Sequence, residues 1–124
     1  MGFRERYSRT SEATPGLVTP YFVAQSASRR IEDIYLFTLD RWGEMQADRY
    51  IDGLFDTFGG IADGTAPFRK INDLSGRDVR ATRYAHHVVF WQPHPIHGVA
   101  ILSVLHGRMD LPERLREDID TDEP

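Results

Sequence analysis

The chain has 124 residues, 40% of them hydrophobic and 11% aromatic, with no cysteine and a formal charge of −4. That length holds one core of the usual size, about 100 to 150 residues, and not two; the missing cysteines exclude disulfide frameworks, thiolate nucleophiles and cysteine-ligated zinc, and fit a reducing, cytoplasmic setting. No apolar run approaches the roughly 20 residues of a bilayer span, and Arg4, Arg6 and Arg9 are not followed by the apolar stretch of a signal peptide.

Residues 1–16 are polar and end in Thr14-Pro15-Gly16, a composition that predicts a mobile arm ahead of a domain at 17–115 and an acidic tail at 116–124. Residues 17–24 have strand character, but Pro20 cannot donate to a ladder and restricts a short first strand to an edge, from about Tyr21. Ser26 or Ser28 can cap a helix in which Ala27, Ile31, Ile34, Tyr35, Thr38 and Trp42 recur at spacings of three and four. Gly43 ends that helix as a left-handed cap. A second helical stripe starts at once, with Ala47, Tyr50, Ile51, Leu54, Phe55, Phe58, Ile61 and Ala62, so the two helices fold back as a hairpin. Gly59-Gly60 should fray its last turn, each glycine costing about 1 kcal/mol relative to alanine. Residues 63–78 read as loop.

From Arg80 the period becomes two. Strands at 80–84, 87–92 and 99–105 form an antiparallel meander, with tight turns at Ala85-His86 and at 93–98. Val88 and Phe90 lie opposite Val89 and Trp91, and Val99, Ile101 and Leu105 opposite Leu102 and Val104, so both sheet faces are apolar. A helical hairpin covers only one. The second face is then roofed by the loop and tail or waits for a partner, and a partner is the preferred expectation. Beyond Asp110 the sequence predicts a tail with one helical turn at 112–117. The fold class is α+β: an N-terminal edge strand and a two-helix hairpin on a small antiparallel sheet, in the order β-α-α-β-β-β.

Charge is unevenly spread. Residues 26–63 hold eight acids against four arginines, residues 64–109 six basic side chains against two acids, and residues 110–124 seven acids against two arginines. Ordinary solvated surface and a basic surface for an anionic partner are both compatible with this.

Five histidines fall between His86 and His106. A metal site is not expected, because adjacent His86 and His87 diverge along a strand and no cysteine or nearby carboxylate completes a tetrahedral set. Gly59-Gly60 and Gly64 follow a helix and lack the Lys-Ser/Thr of a phosphate loop, and no serine sits in a strand-to-helix elbow. No cofactor is expected. The remaining group is Arg80, Arg83, His87, His106 and Arg108: arginine stabilises a phosphate transition state and histidine exchanges protons near neutral pH, as metal-independent RNA cleavage requires. Arginine stems lying on aromatics are equally ordinary surface chemistry.

Several motifs together resemble the ParE branch of the RelE/ParE toxin superfamily. They are Ile31-Glu32-Asp33-Ile34-Tyr35 with Thr38 and Trp42-Gly43, Gln46-Ala47 with Tyr50, Leu54 and Phe58, Arg83-Tyr84 ahead of His87–Trp91, and Val104-Leu105-His106-Gly107-Arg108-Met109-Asp110. The similarity runs from about Pro20 to Leu115. It implies the toxin of a type II toxin-antitoxin pair that inhibits DNA gyrase by protein contact, without catalytic residues of its own, and is neutralised by a ParD-like ribbon-helix-helix antitoxin in a hetero-oligomer. DNA is then met only through the antitoxin complex. Ile34, Tyr35, Val89, Trp91 and Ile101 are the expected antitoxin contacts, and Arg80, Arg83, His87, Arg108 and Met109 the expected target contacts. The related ribosome-dependent mRNA endonucleases would instead use Arg83, His106 and Arg108. Those enzymes are strongly basic, whereas Lys70 is the one lysine here. A homologue without toxicity, acting only as an antitoxin partner, is a third reading.

Overall fold

The computed structural model describes residues 21–71, 76–107 and 111–122, the side chains of 121 and 122 excepted. The expected arm at 1–16 lies outside them. The elements are β1 (Phe22–Val23), α1 (Gln25–Trp42), α2 (Glu44–Asp63), β2 (Arg69–Lys70), β3 (Arg80–Tyr84), β4 (His87–His94), β5 (Gly98–His106) and α3 (Leu111–Asp122). One five-stranded sheet has the order β1-β5-β4-β3-β2, with β1 parallel to β5 and every other pair antiparallel. This is the expected α+β arrangement, extended by the two-residue β2 and by α3.

The hairpin face of the sheet carries Val89, Trp91, Val99, Ile101 and Val104, packed under Ala27, Ile31, Ile34, Tyr35, Ala47, Ile51, Leu54, Phe58 and Ile61. The helical periods therefore place most of the core correctly. Trp42 is the exception, 68% exposed at the end of α1 instead of buried with its stripe. Capping also differs from expectation. Ala24 is the N-cap of α1 with no side-chain cap bond, Ser28 Oγ donates back to Ala24 O at 3.2 Å, and Ser26 is buried. Gly43 has φ 90° and ψ 172°, outside the left-handed helical basin, and joins α1 to α2 with no intervening loop.

α2 continues through Gly59-Gly60 to Asp63 and closes at Gly64, whose φ of 85° is left-handed, instead of fraying. Tertiary packing outweighs propensity there: Phe58 and Ile61 on either side of the glycines are buried. Gly53 has a different purpose. A Cβ at that position would overlap the Tyr84 hydroxyl, which donates to Tyr50 O at 2.8 Å and so ties β3 to α2.

The second sheet face is not open. Leu111, Leu115 and Ile119 recur every four residues along α3 and pack with Val79, Ala81, Val88, Phe90, Ala100, Leu102 and Leu105. This corrects the preference for a partner on that face and the expectation of a single helical turn at 112–117. The acidity that argued against packing is accommodated by one clasp. Asp118, 6% exposed, accepts two bonds from the Arg30 guanidinium at 3.0 Å each and one from Ser103 Oγ, while Ser26 Oγ donates to Asp118 O at 3.2 Å. A buried carboxylate with all these donors avoids the cost of an unpaired charge.

One irregularity positions the end of β5. Phe90 pairs with Ser103 and Trp91 with Ile101, which leaves Leu102 unpaired as a bulge. Beyond it the alternation reverses. Val104 joins the hairpin face and Leu105 the α3 face, opposite to the simple period-two reading.

Candidate functional site

A groove of about 430 Å³ opens between α1 and the end of the sheet, lined by Arg30, Asp33, Ile34, Phe37, Thr38, Trp42, Tyr50, His86, His87, Val104 and His106. Helical spacing sets its upper wall, since Arg30, Asp33 or Ile34, Phe37 or Thr38, and Trp42 descend one side of α1. Its lower wall is the β3–β4 turn with the last residues of β5. The shift at Leu102 makes Val104 and His106 face the helices. Phe37 is 62% exposed and forms, with Trp42, an uncovered apolar rim.

The far end is a polar cluster. His87 and His106 are directly paired across β4 and β5, with ring centroids 5.2 Å apart, and His86 stacks parallel to His106 at 6.3 Å. The Tyr50 hydroxyl accepts the His86 backbone N–H at 3.4 Å and lies 2.7 Å from His87 Nδ1. Burial, then the neighbouring His106 and His86, push the His87 pKa down to about 4. Its imidazole is therefore neutral at pH 7. The direction of the Tyr50–His87 bond follows the ring tautomer: the hydroxyl donates to Nδ1 when the ring proton is on Nε2, and accepts when it is on Nδ1. Burial raises the Tyr50 pKa, so the phenol also keeps its proton. His87 is therefore a poor proton acceptor at neutral pH.

The expected site residues do not form one constellation. Arg83 pairs with Val88 and leaves β3 on the α3 face, opposite His87 and His106. Its guanidinium folds round the turn to donate to Ala85 O at 3.3 Å. Arg80 lies on the hairpin side, 4.8 Å over the Phe68 ring and 5.3 Å over Trp91, with bonds to Asp78 at 3.2 and 3.0 Å. Arg108, expected in both the target and the cleavage readings, and Met109, expected in the target reading, lie outside the described residues. Among the expected antitoxin contacts, Ile34 lines the groove, whereas Tyr35, Val89, Trp91 and Ile101 sit in the core beneath the helices with exposures of 7, 0, 4 and 0%. The Trp91 indole is satisfied internally, donating to Thr82 Oγ1 at 2.9 Å.

Sequence reasoning missed Phe37 and Tyr50 as groove residues. Phe37 falls outside the apolar period of α1, and a large aromatic off its stripe was the available signal. Tyr50 was read as core, and nothing local marks its bond to His87. His94 and His97, weighed as metal ligands, close the β4–β5 turn: His94 Nδ1 accepts the backbone N–H groups of Ile96 and His97, both at 3.1 Å. Among the described residues no three His, Asp or Glu side chains gather as a metal site, and no helix is long and apolar enough to cross a membrane.

The family of ParE toxins of type II toxin-antitoxin systems, parDE, matches residues 21–111. A relative, "Toxin ParE" of Escherichia coli, is 32% identical over 100 residues, covering 81% of this chain and 96% of that protein. The matched span takes in the hairpin, the whole sheet and both walls of the groove, and the chain belongs to the ParE toxin family of type II toxin-antitoxin systems.

Proposed function

We propose that this ParE-family toxin arrests DNA gyrase by protein–protein contact and is neutralised by a ParD-like ribbon-helix-helix antitoxin. The observation that carries the contact reading over catalysis is the division of the candidate catalytic groups. Arg83 leaves β3 on the face opposite His106 and turns its guanidinium to Ala85 O at the β3–β4 turn, and His87, beside His106, is a neutral side chain bonded to Tyr50. Phosphate cleavage needs acid, base and phosphate-binding groups converging within about 3 Å of the reacting atoms.

The groove supplies the antitoxin contact in this reading. An amphipathic segment lays apolar side chains against Ile34, Phe37 and Trp42 and meets Arg30 and Asp33 on the same helix side. The expected target contacts Arg80, Arg83 and His87 do not share one face of the β3–β4 hairpin, so in this reading the target reaches them around its edge and turn. Purified protein is expected to inhibit gyrase supercoiling or to trap cleaved DNA complexes, and added ParD-like antitoxin to reverse it. Absence of both effects at micromolar excess, with mRNA cut in a translation extract, would replace this reading by the ribonuclease one. Harmless induction in cells without antitoxin would instead identify a partner-only homologue.

A further inference from the structure

The edge of the sheet formed by β2 and β3 carries basic groups that the groove does not use. Arg69 pairs with Ala81 in the β2–β3 register, so Arg69, Ala81 and Arg83 share the α3 face, the two arginines as diagonal neighbours about 7 to 8 Å apart at the backbone. Between them lies an open hollow of about 390 Å³ lined by Pro67, Phe68, Arg69, Ala81, Arg83 and Val88. Arg69 is also the wall of a second hollow, about 250 Å³, whose far side is Arg116. Among the described residues neither Arg69 nor Lys70 forms an ion pair with a carboxylate, although Asp78 interacts electrostatically with Lys70; Lys70, paired with Arg80, leaves this edge strand on the opposite face from Arg69, and Arg83 donates to Ala85 O. Asp78, ahead of β3, is bonded to Arg80. Phe68 stands at the rim, 46% exposed, against Arg80 and Trp91 of the hairpin side, with the Arg80 guanidinium 4.8 Å over its ring and the Trp91 ring edge-to-face at 5.3 Å.

We propose that this edge binds single-stranded nucleic acid, with Arg69, Lys70 and Arg83 on the phosphates and Phe68 as a platform for a base. Two features select a strand over an acidic protein segment. A peptide needs buried apolar anchors for its affinity, but α3 already covers the apolar centre of this face and leaves Phe68 as the exposed large apolar side chain beside the hollow. A strand needs cations at intervals and an aromatic face, which is what remains uncovered. Arginine is also the side chain whose planar fork matches phosphate oxygens. The inference stands apart from the gyrase reading, because it concerns the free toxin and a free strand. It also departs from the expectation that DNA is met only through the antitoxin complex.

The test is fluorescence anisotropy of the full chain with labelled oligothymidylate and oligouridylate of about 12 nucleotides, within the span one small domain occupies, across a salt series. Three phosphate contacts predict that log K falls with log salt with a slope of about −2, and that Arg69→Gln and Arg83→Gln each reduce the slope by about 0.7. Arg69→Lys should restore it. Phe68→Ala should weaken binding about fivefold or more while leaving the slope unchanged. Circular dichroism and denaturation midpoints establish that the variants fold. The proposal is overturned by no binding at low salt, or by binding that the paired Arg69→Gln and Arg83→Gln substitutions leave unchanged. Polyglutamate binding as tightly as the oligonucleotides would likewise overturn it and assign the edge to an acidic protein. Gyrase inhibition is scored separately on Arg69→Gln and Phe68→Ala, which lie outside the proposed target contacts: either variant losing strand binding and still inhibiting the enzyme separates failure of one reading from failure of the other.

Discussion

His87 links the groove to pH. Its folded pKa is pushed down to about 4 from an ordinary 6.5, so as pH falls below 6.5 the unfolded chain takes up a proton that the folded protein refuses until about pH 4. Stability contributed by the neutral ring is therefore complete above about pH 6.5 and is lost progressively between that value and about pH 4. Urea midpoints measured across this window should decline less steeply in His87→Gln than in the parent, since the amide does not titrate and can still meet the Tyr50 hydroxyl. Parallel declines would mean that another group sets the slope. The other four histidines are common to both proteins, so the comparison isolates this one.

At the level of elements, α3 is held by an apolar stripe and one ionic clasp. Asp118→Ala leaves the Arg30 guanidinium, 25% exposed, without its carboxylate, and breaking a buried pair on one side costs about 3 kcal/mol. Equilibrium denaturation should show that loss, with most of it recovered when Arg30→Met accompanies it, because removing both charges leaves none stranded. A loss below about 1 kcal/mol would mean that the clasp is energetically idle. The same helix shows how far the sequence carried. Long, strongly periodic α1 and α2, the tight Ala85-His86 turn and the meander were all visible as pattern, because each is governed by spacing within one segment. The stripe at Leu111, Leu115 and Ile119 was present too, but the surrounding acids argued for solvent, and the answer to them is Arg30, 88 residues away. The groove was half visible for the same reason: His87 and His106 stood out as residue types, while their meeting with Tyr50 depends on β4–β5 register and on a helix 37 residues distant.

For the whole molecule, the division between interior and surface decides which substitutions report binding. Phe37 and Trp42 are exposed on the groove rim, whereas Trp91 and Ile101 lie in the core with 4% and 0% exposure. Phe37→Ala and Trp42→Ala should each weaken the antitoxin complex tenfold or more, about 1.4 kcal/mol, with the denaturation midpoint of the free toxin nearly unchanged. Trp91→Ala and Ile101→Ala should do the reverse in origin, losing about 3 to 4 kcal/mol of folding stability through the cavities they open, with any change in affinity following from unfolding. Titration calorimetry alongside thermal melts distinguishes the two classes; unchanged affinity in both rim variants would remove the antitoxin from this groove. All of this geometry depends on one supernumerary residue. Leu102 acts as a phase shift in β5, so the strand's last residues are written in the opposite frame from its first. Deleting that single codon would leave composition and hydropathy almost untouched, yet it would turn Leu105 toward the helices and carry Val104 and His106 to the other side of the sheet. The groove is therefore more vulnerable to a one-residue deletion in this strand than to most point substitutions.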